Sequence, residues 1–173
     1  MSTEGYAGEL ICQLAGYSDA MKQQGLTGHE LRAWRVSFQM LELLRTRIEQ
    51  QLQASSGLSN ADYTVLALLS EAPDGRMRAY ELGRVAGWEK SRMHHQLTRM
   101  CKRGLVTRER CGSRGMEAVI TAKGLTALKQ AAPSHAQEVR RLVIDRLTPE
   151  ELDQFADIAT TILENLRADQ PPV

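Results

Sequence analysis

The chain has 173 residues, 42% hydrophobic and 25% charged, with 22 basic against 21 acidic side chains. This is the composition of an ordinary globular protein of one domain or two small lobes, which excludes wholesale disorder. Aromatics are scarce at 5%, with Leu and Ala abundant, which favours helix over an all-β sandwich; the net charge of +1, taken alone, argues against a nucleic-acid partner.

Residues 1 to about 25 hold a short amphipathic stretch with Leu10, Ile11, Leu14, Tyr17 and Met21 near helical spacing, interrupted by Gly25 and Gly28. A long helix is predicted from about residue 30 to 53, its apolar stripe formed by Leu31, Trp34, Phe38, Leu41, Leu44, Ile48 and Leu52, with Ser55-Ser56-Gly57 ending it. Its length exceeds that of a typical globular helix, so it bridges lobes or pairs with a second chain. Ser59 and Asp62 form a capping-box start, Asp replacing the usual Glu or Gln, for a helix to about residue 71. Pro73-Asp74-Gly75 is turn chemistry, and a short helix over about 78–86 follows, burying Leu82 and Val85. Gly87 closes it, and a further helix spans about 89–103 and stops at Gly104. Two strand-like runs, 105–110 and 116–120, flank a turn at Cys111-Gly112-Ser113-Arg114-Gly115. Thr121 caps the next helix, which is expected to kink near Pro133 and end near 147. Thr148-Pro149-Glu150-Glu151 then supplies an N-cap, a proline at the first helical position and a Glu at the third. The last helix, to about 167, carries Leu152, Phe155, Ile158, Ala159, Ile162, Leu163 and Leu166 on a broad apolar face.

The order helix, turn, helix, β-hairpin outlines a winged helix-turn-helix. The expected fold is therefore mainly α with a small β-hairpin wing. A winged lobe at 58–121 stands on a helical dimerisation region drawn from 29–57 and 122–168, with an N-terminal extension at 1–28 and a disordered tail at 169–173. Pairing two chains would bury the stripes of the first and last helices, and a two-fold homodimer matches a palindromic site.

The charge is unevenly spread. Residues 76–114 hold eleven basic and three acidic side chains, a segment charge of +8, and the remainder carries −7. A basic segment that coincides with a winged helix-turn-helix is the electrostatic footprint of a double-stranded DNA binder. At about 100° per residue, Met93, Leu97 and Met100 fall on one narrow arc of the presumed recognition helix and face the core. Ser91, His95, Thr98 and Lys102 lie opposite, with Arg92 and Arg99 on one flank and His94 on the other. Lys90 opens the helix. Arg forks onto guanine, hydroxyls serve base edges and Lys holds phosphates, so Ser91, Arg92 and His95 are the candidates for base reading and Lys102 for phosphate. Arg103 has two readings: a phosphate contact, or a cation placed favourably at a helix C-terminus. On the wing, Ser113 and Arg114 sit at the tip, with Arg108 and Arg110 on the strand leading to it. An Arg on a β-ribbon tip suits a narrow minor groove.

Several of these residues carry a family resemblance. The stretch Leu58-Ser59-Asn60-Ala61-Asp62-Tyr63, then Leu82, Gly87-Trp88-Glu89-Lys90-Ser91-Arg92 and Arg103-Gly104-Leu105-Val106, resembles the MarR family of bacterial transcription regulators. Arg114-Gly115 followed by Val119-Ile120-Thr121-Ala122-Lys123-Gly124 is similar to the family's wing and exit. The resemblance covers about residues 30–166. It implies a homodimer with interlocked terminal helices, two winged lobes on a pseudo-palindromic operator, and release by a small ligand or an oxidant. The family's wing arginine corresponds to Arg114. Its Asp-x-Arg motif reads Gly112-Ser113-Arg114 here, so the acidic residue that steadies that arginine is missing.

Three sensing readings follow. A small-molecule effector would find aromatic walls in Trp34, Phe38 and Tyr63, which serve equally as core. Cys12, between Ile11 and Leu14 with no basic neighbour, is either a peroxide-responsive thiol or a small buried hydrophobe. Cys111, beside Arg110, is a second redox candidate, because a charge-changing modification on the wing would weaken DNA contact. Metal is not expected: His94 and His95 are adjacent and diverge, while His29 and His135 are isolated. No Gly-x-Ser-x-Gly or phosphate-binding Gly-rich loop suggests an enzyme, and no cofactor is indicated. A winged helix used for protein contacts alone is the remaining alternative; it would not need the +8 segment. The longest apolar run, residues 63–69, is far short of the ~20 residues of a spanning helix, and Glu4 and Glu9 stand where an export signal would be basic. With three cysteines and no Cys-x-x-Cys, a reducing cytoplasmic setting without membrane partners is expected.

Overall fold

The computed structural model describes residues 25–111 and 115–168. Helix α1 spans Gly28–Ser56, longer at both ends than the periodicity alone suggests. Its start is fixed by a capping box: the Glu30 amide donates to Thr27 Oγ1 (3.3 Å), and the Thr27 amide donates to the Glu30 carboxylate (2.7 Å). Gly28 is the first helical residue behind that cap, and the amphipathic stretch expected before it lies outside the described residues. The chain divides into two compact units within α1, one up to Thr46 and one from Arg47 onward. In the first unit α1 leaves Trp34, Val36, Phe38, Met40, Leu41 and Leu43 exposed.

The second unit contains the winged lobe. Helix α2 (Asn60–Glu71) begins with the expected capping box: the Asp62 amide donates to Ser59 Oγ, and the Ser59 amide returns a bond to the Asp62 carboxylate, both at 3.0 Å. A 3₁₀ turn at Pro73–Gly75 leads into strand β1 (Arg76–Arg78), helix α3 (Ala79–Ala86) and helix α4 (Lys90–Lys102). Between α3 and α4 the chain reverses at Gly87, whose φ of 65° is left-handed and suits a residue without Cβ. Strands β2 (Val106–Cys111) and β3 (Gly115–Ile120) form the hairpin, and the sheet order is β1-β3-β2, antiparallel throughout. The third strand was not legible in the sequence. Three residues, Arg-Met-Arg, carry too little alternation to register, and pairing of Arg76 with Val119 and Arg78 with Glu117 is a tertiary event.

Helix α5 (Ala122–Leu142) starts at Thr121, whose hydroxyl accepts from the Gly124 amide at 3.0 Å. It runs through Pro133 unbroken, ends at Leu142 rather than near 147, and gives way to a 3₁₀ turn at Ile144–Arg146. Helix α6 (Pro149–Ala168) opens on the expected Thr148–Glu151 box. The core joins Leu58, Val65, Leu66 and Leu69 to Leu82, Met93, Leu97, Met100, Leu105, Val106 and Ala118. Leu52 of α1 and Leu128 and Ala131 of α5 close it, so the lobe's core draws on residues beyond 58–121. Val85, expected to be buried, is 46% exposed. Among the described residues no helix is long and apolar enough to cross a membrane.

Candidate nucleic-acid interface

Helix α4 sorts its side chains as the 100° spacing predicts. Met93, Leu97 and Met100 are buried, and Ser91, Arg92, His94, His95, Arg99 and Lys102 are exposed. Lys90, Ser91, His94 and His95 line an open concavity of about 640 Å³ together with Glu89 and with Ala79 and Tyr80 of α3. Tyr80 was not singled out from the sequence. It is 57% exposed, its hydroxyl donating to Glu81 at 3.0 Å so that the ring stands free beside the recognition helix. An exposed aromatic two residues into the first helix of a helix-turn-helix was the signal available.

The basic side chains differ in how they are held. The Arg92 guanidinium lies 4.5 Å above the centre of the Trp88 ring, a cation–π contact that orients it at the first turn of α4. Arg108 of β2 donates to the Thr98 hydroxyl (3.0 Å) and to the His94 carbonyl (3.2 Å), so it leans on the recognition helix and not toward the hairpin tip. The Thr98 hydroxyl in turn donates to the His94 carbonyl at 2.8 Å and is half-buried. Arg110 and Lys102 are exposed. Arg76, from the unforeseen strand, stands 3.6 Å from Glu109 and 3.9 Å from Glu117, bridging two carboxylates that face each other across the hairpin. Unbridged, that like-charged pair would weaken the wing.

For Arg103 the structure adds partners that neither sequence reading named. Its guanidinium donates to the Asp62 carboxylate (2.5 Å) and to the Gly57 carbonyl (2.8 Å), tying the end of α4 to the start of α2. Asp62 and Gln96 are the buried polar residues of the described chain, 3% and 2% exposed, and they bond to each other at 2.8 Å. Sequence reasoning read Asp62 only as a cap.

The remaining candidates separate by unit. In the first, Trp34 and Phe38 form a half-exposed pair with ring centres 6.0 Å apart. In the second, Tyr63 packs on His135 at 4.4 Å, and burial raises the tyrosine pKa and lowers that of the histidine. Cys111 pairs through its backbone with Gly115. Cys12, Ser113 and Arg114 lie outside the described residues. No cluster of metal-ligating side chains occurs among the described residues.

A three-helix lobe with a β-ribbon beside a basic, outward-facing third helix defines the winged helix-turn-helix class. Comparison with known proteins narrows the class. The family model described as MarR family matches residues 56–115. AbsC, a MarR family transcriptional regulator of Streptomyces coelicolor, is 40% identical over 83% of this chain and 98% of its own, with a TM-score of 0.79. Sco3205, a MarR family regulator from the same organism solved in complex with DNA, is 37% identical over 84% and 94%, with a TM-score of 0.80. The HTH-type transcriptional repressor YetL of Bacillus subtilis is 27% identical over 115 residues, 65% of this chain and 68% of its own. The chain belongs to the MarR family of transcriptional regulators.

Proposed function

We propose that this protein is a repressor that binds a pseudo-palindromic duplex operator as a homodimer in the cytoplasm and is released by a small effector. The observation that carries the DNA reading is the division of α4, with Met93, Leu97 and Met100 in the core and Ser91, Arg92, His94, His95, Arg99 and Lys102 outside. Side chains of this kind on the outer face of a recognition helix match base edges and phosphates. The DNA complex of Sco3205 and the repressor designation of YetL support the same reading.

The homodimer rests on apolar surface that each unit exposes separately. In α1 this is Trp34, Phe38 and Leu41, and in α6 it is Phe155, Ile158, Ile162 and Leu166. Apolar residues repeated along one helix face call for a partner. Effector release is the regulatory part of the proposal, with Trp34 and Phe38 in the one unit, or Tyr63 in the other, as candidate aromatic walls. Occupancy of the operator would exclude polymerase, and an effector that binds the unbound form better would lower occupancy.

The test is a titration of the protein against duplex DNA from its own upstream region at several salt concentrations, with and without phenolic ligands. Saturable binding that weakens steeply with salt and survives excess unrelated duplex supports the reading. Binding indifferent to salt and to sequence would sink it.

A further inference from the structure

We propose that Gln96 is a positioning residue of the interface: held by the buried carboxylate of Asp62, its amide fixes Arg99 in the orientation from which it meets DNA. Gln96 lies on the buried arc of α4 beside Met93, Leu97 and Met100, where an apolar side chain would pack as well. A buried amide must find partners on both of its ends. Its Nε2 donates to Asp62 Oδ1 at 2.8 Å, and its Oε1 accepts from the Arg99 guanidinium at 2.5 Å.

The order of the chain follows from chemistry. An ionised carboxylate only accepts, so it selects the rotamer in which the amide turns its NH₂ inward and its oxygen outward. Asp62 is itself immobilised by the Ser59 amide (3.0 Å) and the Arg103 guanidinium (2.5 Å). The outward oxygen therefore offers the exposed Arg99 a fixed acceptor, and the Arg99 guanidinium makes no other hydrogen bond among the described residues. A rotamer-rich side chain held before binding loses less entropy on binding.

The inference rests on Arg99 contacting DNA, and the experiment separates the two. Operator binding is measured for wild type, Gln96→Met, Arg99→Ala and the double variant, well below the thermal midpoint of each and at several salt concentrations. Gln96→Asn, an amide too short to span both partners, serves as a second variant should Gln96→Met fail to fold. The expected result is a several-fold loss for each single change, with Gln96→Met adding nothing once Arg99 is alanine. Arg99→Ala should also lower the salt slope by about 1. Equal losses from Gln96→Met in both backgrounds would make Gln96 merely structural and overturn the proposal. An unchanged Arg99→Ala would overturn the contact itself, and with it the proposal. A wild-type protein that binds no duplex would remove the functional reading on which both stand.

Discussion

At the scale of single residues, geometry assigns different work to side chains of one chemical type. Arg92 rests on Trp88 with its charge free for a base edge, whereas Arg103 is consumed by Asp62 and Gly57. Arg92→Ala is thus expected to relax base preference at one position in each half-site, by about 1–3 kcal/mol, measured against operators varied at single positions. Asp62→Ala should instead destabilise the free protein. It removes the carboxylate half of the Ser59 capping box and strands Gln96, together about 2–3 kcal/mol by urea unfolding; the Arg103 pair contributes little because that arginine is 43% exposed. His135 makes a pH prediction. Burial against Tyr63 lowers its pKa from the ordinary 6.5, so the unfolded chain takes up the proton first and stability falls as pH drops below that value. Replacing it with Phe keeps a ring against Tyr63 and removes the titration. The thermal midpoint of His135→Phe should gain on wild type as pH is lowered from about 7.5 to about 5.5. A pH-independent difference between the two would contradict this.

At the scale of elements, caps and turns were read correctly because they are local chemistry. Ser59, Thr121 and Thr148 each start a helix where the sequence places them. β1 was missed because its register comes from pairing with β3, whereas Pro133 lies within α5 as expected and the helix runs continuously through it. Gly124 shows how far a neighbour can dictate. In the first turn of α5, a Cβ at this position would lie 2.1 Å from the Leu105 carbonyl oxygen. Gly→Ala in an exposed helix gains about 1 kcal/mol, but here the backbone of β2's approach must move. Gly124→Ala is expected to destabilise by about 3 kcal/mol in denaturant unfolding and to displace the wing relative to α5. A neutral or stabilising Gly124→Ala would show that this contact is slack.

At the scale of the molecule, the net charge of +1 conceals a +8 segment at residues 76–114 and a −7 remainder. The fold places part of that segment in internal pairs: Arg76 with Glu109 and Glu117, and Arg103 with Asp62. Arg84, Lys90, Arg92, Arg99, Lys102, Arg108 and Arg110 are exposed and take no part in those pairs, and this smaller set should govern the salt dependence of DNA binding. The apolar faces of α1 and α6 belong to the same scale. Light scattering at micromolar concentration should give twice the mass of the 19.3 kDa chain, and Phe155→Glu with Ile158→Glu should lower both that mass and operator affinity. A monomeric wild type would remove the dimer from the proposed function.

What the sequence determined by itself was everything set by spacing along the chain. That includes the helix order, the caps, the buried arc of α4 and the clustering of basic residues, because each depends on neighbours three or four positions apart. Tertiary structure decided which charges are available. Asp62 is 34 positions from Gln96 and 41 from Arg103, and Arg108 is 10 from Thr98. No periodicity reports such meetings. They arise only when the core closes, and they divide the arginines into those that hold the lobe together and those left facing outward.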